Sequence, residues 1–217
     1  MIIAIDGPAG AGKSTIAKNI AKRLGFFYID TGAMYRALAL KAIQEKIDTQ
    51  DTEKLIKMTA KTKLDLINSP GGLKVMLDEK DVTQQIRQPE VTKIVSDIAK
   101  IKEVRKIMLA LQRQFGKRGN SVLDGRDIGT VVFPDADKKF YLDATVNERS
   151  RRRYKELIEA GQNLTLDEVK KDLLYRDKID STRQIAPLKK AEDAIYIDTT
   201  DMTIEQVTDK VLGYING

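Results

Sequence analysis

Residues 2–15, IIAIDGPAGAGKST, run from an apolar segment through a glycine-rich stretch into a helical pattern that begins at Lys13. Gly7, Gly12, Lys13 and Ser14 fill the pattern GxxxxGK[ST], a phosphate-cradling loop, in the strand-loop-helix setting that the pattern requires. Without Cβ atoms the glycines let successive backbone N–H groups turn inward as an anion-binding nest at the positive end of a helix. Lys13 adds a full charge there. Gly7, Pro8, Ala9, Gly10, Ala11, Gly12, Lys13, Ser14 and Thr15 are therefore the candidate nucleotide-binding residues. The bland alternative is an ordinary glycine-rich turn, which leaves the apolar strand before the loop and the helix after it as coincidence.

Working outward, the chain alternates strand and helix signals. Ile16, Ala17, Ile20, Ala21 and Leu24 give one face of a first helix over 13–24, with Gly25 as its stop. Phe26 to Ile29 reads as a second strand that ends at Asp30-Thr31-Gly32, and Met34, Leu38, Ala42 and Ile43 mark a further helix. Residues just past strand ends line the crevice where open α/β sheets bind ligands, which makes Asp30, Thr31 and Arg36 site candidates. After a short helix over 52–61 the period changes to alternation at Leu64–Ile67, Leu73–Leu77 and near Val82, with turn residues between. A three-stranded meander inside a βα chain reads as an inserted lobe, here taken as 60–100.

Helical spacing returns over 89–115 with a break near Lys100. Ser121–Leu123 and Lys139–Leu142 are short buried strands, the first ending at Asp124-Gly125-Arg126-Asp127. Asn147 to Glu159 forms a basic helix bearing Arg149, Arg151, Arg152, Arg153 and Lys155, and a helix from Leu166 to about Ile179 follows. A run of charge is usually a solvated face. Beside a phosphate loop, 147–162 reads instead as a lid whose arginines close on a polyphosphate and exclude water. Ala194–Ile197 is a fifth core strand and 204–215 the last helix. The fold class expected is α/β, a five-stranded parallel sheet flanked by helices, in one domain over 1–217.

Composition narrows the chemistry. With no cysteine there is no disulfide frame and no thiolate nucleophile; with no histidine, proton transfer near neutral pH would need a shifted carboxylate or lysine, which favours a reaction that needs no base. The net charge of +6 suits polyanionic small molecules. A nucleic-acid polymer is not expected, since no basic block carries interleaved aromatics. No run is long and apolar enough to span a membrane and no leader pattern precedes the first strand, so a cytoplasmic protein without a membrane partner is expected. A GTPase switch would need DxxG before a guanine-reading motif; Thr62-Lys63-Leu64-Asp65 resembles the latter but falls in the meander. No core strand ends in the Asp-Glu pair of a motor ATPase.

A kinase whose acceptor is held by Asp30-Thr31-Gly32, Arg36, the inserted lobe and Asp124-Gly125-Arg126-Asp127 remains, and four blocks make it specific. GPAGAGKST (7–15), YIDTGAMYR (28–36), LDGRDIGTVVFPDA (123–136) and RDKIDSTRQIAPL (176–188), in this order and spacing, resemble the bacterial cytidylate kinases. The resemblance implies a P-loop nucleoside monophosphate kinase that takes ATP and Mg²⁺ and phosphorylates CMP or dCMP, with the inserted lobe binding the monophosphate and a helical lid. It implies that Arg36 and Arg126 grip the acceptor phosphate, that Thr31, Arg105, Asp127 and Arg183 read cytosine, and that Ser96, Arg176 and Asp180 hold the ribose side. Lys13, Arg126 and Arg176 are the expected catalytic charges, Arg149 and Arg153 the lid contacts to ATP, Ser14 the direct metal ligand and Asp124 an outer carboxylate. Thr31 stands where the family often has serine. A monomer is expected, and the rival readings are a UMP or dTMP kinase and a nucleotide switch or RNA-associated ATPase.

Overall fold

The computed structural model describes residues 1–217. Strand β1 (Ile2–Asp6) leads through the glycine-rich loop into α1 (Lys13–Leu24), and β2 (Phe27–Asp30) into α2 (Thr31–Gln44). Helix α3 (Thr52–Lys61) precedes the meander β3 (Leu64–Ser69), β4 (Gly72–Leu77) and β5 (Lys80–Asp81). Then come α4 (Pro89–Ala99), α5 (Lys102–Gly116), β6 (Ser121–Asp124) and a π-helical turn at Ile128–Val132. Strand β7 (Lys138–Asp143), α6 (Val146–Glu159), α7 (Leu166–Thr182), β8 (Ile195–Asp198) and α8 (Ile204–Asn216) complete the chain.

The five-stranded sheet has the order β2-β6-β1-β7-β8, with β1 parallel to β7 and β7 parallel to β8; the meander is a separate antiparallel sheet, β3-β4-β5. Ile3, Ala4 and Ile5 are wholly buried, as a strand covered on both faces must be. Helix α1 stops where expected: Gly25 takes the left-handed conformation and its N–H bonds the Ala21 carbonyl. Packing divides the chain into two compact units, Met1–Phe26 with Val122–Gly217, and Phe27–Ser121, the meander falling within the second.

Three local expectations change. Thr31 and Gly32 are helical, because Asp30 caps α2 by accepting the Ala33 N–H at 2.7 Å and so starts the helix directly after the strand. Ile43, counted in the apolar stripe of its helix, is exposed, lying outside the buried arc. Helix α7 continues through Thr182, past the expected end near Ile179. Lys63 and Asp65 of the guanine-motif look-alike are turned to structural work. The Lys63 N–H is held by Asp78, and Asp65 pairs with Arg118 at 2.9 Å.

Candidate active site

In the first unit the glycine-rich loop joins β1 to α1. A Cβ on Gly7 would fall on the Leu142 carbonyl oxygen, and one on Gly10 would come within 2.9 Å of the Arg149 carbonyl oxygen; both glycines have positive φ. The loop is therefore pressed against the end of β7 and the start of α6, where no side chain fits. Lys13, at the first position of α1, is buried and donates to the Pro8 carbonyl at 2.6 Å, which folds the lysine back over its own loop. Ser14 donates to Asp124 at the end of β6, 2.7 Å away.

Three cations of this unit crowd one another. Burial first and Arg126 next push the Lys13 pKa down to about 7. Arg176 on α7 is pushed down to about 10, again by burial and then by Arg126. Its Nε is buried without a partner, and its nearest carboxylate, Asp172, is 3.9 Å away. Burial works against the charge of Arg126, but Asp180, which attracts it and accepts its hydrogen bond, together with Asp177 and Asp124 outweighs burial, and the guanidinium is held above its ordinary range. Repelling buried cations and an orphaned guanidinium N–H are what a site shaped for a polyanion leaves when protein groups alone must serve.

Beside these cations runs a chain of alternating charge. Arg126 Nε donates to Asp180 at 2.8 Å, Arg183 reaches Asp180 at 3.5 Å and Asp127 at 3.3 Å, and Arg183 Nε donates to the Ala186 carbonyl at 2.6 Å. Although burial raises the Asp180 pKa, Arg126 and Arg183 more than offset it and keep the carboxyl below its ordinary range. The backbone bearing Arg126 and Asp127 is clamped from β1. Gly125 N donates to the Ile5 carbonyl, and Asp6 accepts the N–H groups of Ile128 at 2.8 Å and Gly129 at 2.7 Å. Burial nonetheless pushes the Asp6 carboxyl up to about 7.

The second unit holds the remaining sequence-derived residues. Asp30 Oδ2 accepts from Arg36 Nη2 at 3.1 Å while Oδ1 caps α2; a side chain on Gly32 would press on both groups. Thr31 is buried in the first turn of α2. Arg105 on α5 is buried, with its guanidinium carbon 5.6 Å from the centre of the Tyr35 ring and a hydrogen bond to the Ala99 carbonyl. That stacking matches a rigid planar cation held over an aromatic face. Ser96 is half-buried on α4.

The two arginines expected to reach ATP both have partners within the protein. The Nε and Nη1 of Arg149 bond the Ala144 and Ala9 carbonyls and Asp177, within the protein. Arg153 pairs with Glu156 on its own helix at 3.0 Å. Sequence reasoning missed Asp6 and Asp177 entirely. Asp6 directly precedes the glycine loop, which is the one local cue; Asp177 follows Arg176 with no periodic or motif signal of its own.

No group of three or more metal-ligating side chains exists in the chain. The Ser14 hydroxyl with Asp124 behind it suits a hard cation that takes most of its ligands from phosphate and water. No helix is long and apolar enough to cross a membrane.

The cytidylate kinase family model matches residues 3–217. The cytidylate kinase of Clostridioides difficile (strain 630) is 50% identical over 216 residues, covering 100% of this chain and 98% of that protein. That of Geobacillus sp. (strain WCH70) is 52% identical over 214 residues, covering 99% and 96%. Among solved structures, the shikimate kinase from Bacteroides thetaiotaomicron has a TM-score of 0.50 at 14% identity, with 100% of this chain and 99% of that chain covered, a likeness of fold alone. Matched across 3–217, and sharing half its residues with relatives of its own length, the chain belongs to the cytidylate kinase family.

Proposed function

We propose that the protein transfers the γ-phosphoryl group of MgATP to CMP or dCMP, giving ADP and CDP or dCDP. The observation that carries the reading is the crowding of Lys13, Arg126 and Arg176, two of them with lowered pKa values and one with an orphaned buried N–H. A nucleoside triphosphate and a monophosphate together bring the negative charge that such a cluster lacks.

The acceptor is already an ionised phosphate, so no general base is required, in keeping with a chain without histidine. An acceptor phosphate oxygen attacks the γ-phosphorus, the bond to the β,γ-bridging oxygen breaks, and ADP leaves. Lys13 and the glycine-loop N–H groups hold the donor phosphates. Arg126 and Arg36 take the acceptor phosphate as bidentate forks, and Arg176 adds charge to the moving phosphoryl group. Ser14, with Asp124 behind it, would hold Mg²⁺, which would neutralise charge on the donor phosphates when bound. Catalysis then rests on alignment and electrostatics.

Base choice follows from donors and acceptors. Asp127 accepts from the N4 amine of cytosine, where uracil would present O4, lone pair against lone pair. Arg183 and Arg105 donate to the acceptors of the ring, Thr31 lines the base, and Asp180, with Ser96 and Arg176, holds the ribose. Arg183 is pre-set: its three donor nitrogens are each bonded to protein, so little freedom is lost on binding.

The test is ADP release with ATP and, in turn, CMP, dCMP, UMP and dTMP. CMP and dCMP are expected to turn over with the highest kcat/KM. Equal turnover of UMP would remove the cytosine reading, and ATP hydrolysis stimulated by RNA without monophosphate turnover would remove the kinase reading.

A further inference from the structure

The crest of the glycine-rich loop is tied to the root of the lid helices on both its polar and its apolar side. Ala9 N–H donates to Asp177 on α7 at 3.1 Å, and the Ala9 carbonyl accepts from Arg149 Nη1 on α6 at 2.9 Å. Arg149 closes the ring by donating to the other oxygen of Asp177 at 2.5 Å and anchors itself on the Ala144 carbonyl through Nε. The Ala9 methyl is buried in one cluster with Val169 and Leu173 of α7, with Tyr154 packed against it. Gly10 follows with a left-handed φ of 77° and the Arg149 backbone directly over it, so neither residue of the crest can shift without moving α6.

We infer that Asp177 and Arg149 act together as positioning residues of the donor site, a brace that fixes the phosphate-holding loop by gripping both backbone polar groups of Ala9. Neither residue is assigned to the chemistry itself. Their opposed charges cancel, which lets a carboxylate lie near the donor phosphates without repelling them. A preset loop keeps its N–H groups aimed before the nucleotide arrives; a loose one must be ordered at binding, and that cost appears in donor affinity.

This inference deepens the proposed reaction and rests on it for the identity of the donor. Calorimetric titration of the full chain with ATP alone, and separately with CMP alone, tests it without requiring turnover. Asp177→Ala is expected to weaken ATP binding about tenfold, close to 1.4 kcal/mol, with CMP affinity within about twofold of the parent. Asp177→Asn keeps an oxygen for the Ala9 N–H but loses the ion pair, and is expected to fall between the two. Because the pair works as a unit, Arg149→Met with Asp177→Ala should weaken ATP binding no more than about twofold beyond Asp177→Ala.

ATP affinity unchanged in Asp177→Ala would overturn the inference, and so would a parallel loss of ATP and CMP binding, which marks general loosening. Losses that multiply in the double variant would overturn the unit. Should Asp177→Ala not fold, the Asp177→Asn titration decides on the same criterion: ATP weakened and CMP spared, or not. Turnover of CMP by the parent tests the reaction separately, so the failure of one is not mistaken for failure of the other.

Discussion

Lys13 and Asp6 are both buried and both perturbed toward about 7, from opposite directions. For Lys13 the folded pKa lies below the unfolded value of 10.5, so between about 7 and 10.5 the unfolded chain holds more protons and stability rises with pH; the penalty is fully present below 7. For Asp6 the folded value lies above 3.8, so stability falls as pH rises from about 4 to 7. Bound phosphates favour the lysine cation, and donor binding therefore draws a proton onto Lys13 at alkaline pH. ATP affinity is expected to fall by up to about tenfold per pH unit above 7, and Lys13→Arg, which stays charged, should flatten that dependence. Titrations from pH 6.5 to 9 in buffers of different ionisation enthalpy measure both the slope and the proton taken up. A level profile in the parent protein would show that the lysine is already charged before ATP arrives.

Asp127 carries the second residue-scale expectation. If Asp127 reads the base as proposed, removing its carboxylate leaves the cytosine amine without its acceptor and lifts the repulsion against uracil, so Asp127→Ala should shrink the CMP-to-UMP ratio of kcat/KM by about 1–3 kcal/mol, roughly 5- to 150-fold. A ratio that does not move assigns base choice to Arg183 and Arg105 instead.

At the scale of elements, helix α7 joins both ends of the story. Thr165 caps it in a reciprocal box with Glu168, while Arg176, Asp177 and Asp180 lie two turns and more further on. Thr165→Ala should cost about 1 kcal/mol and lower the thermal midpoint by about 2–4 °C, with CMP affinity intact. Loss of CMP binding in that variant would mean that the cap end governs the distant turns. Elements of this kind were readable in the sequence because their signals are local: apolar spacing of 3 and 4 along α1, the Gly25 stop, the Pro-Gly-Gly turn between β3 and β4. The start of α2 was read late because a capping aspartate at a strand end looks the same as a loop residue. The Asp6 clamp on 128–129 and the Asp177 grip on Ala9 join residues more than a hundred positions apart, and such pairs leave no periodic trace. Arg149 shows the same limit from the other side. Its place on a basic helix suggests a lid arginine that contacts ATP, and only the fold reveals that its guanidinium bonds the Ala9 carbonyl and Asp177.

At the scale of the whole molecule, the chain carries 38 Lys and Arg against 32 Asp and Glu. Much of that charge is already paired at the surface, Lys54 with Asp51 and Arg151 with Glu148 among them. Exposed pairs of this kind add little to stability and are screened by salt. The unrelieved repulsion lies among Lys13, Arg126 and Arg176, so the molecule should gain stability from ligands that neutralise those groups. A ligand at 100 times its Kd adds about 2.7 kcal/mol, which for a chain of this size raises the midpoint by about 5–11 °C. ATP should produce such a shift, CMP a further one when added with it, and UMP at the same concentration a smaller one. Polyuridylate or polycytidylate RNA, matched in phosphate concentration, should produce little shift at 150 mM salt, because its attraction is to the screened surface charge. A stabilisation by RNA as large as that by ATP would mean that the outer charge, and not the buried cluster, is where this protein meets its phosphate partner.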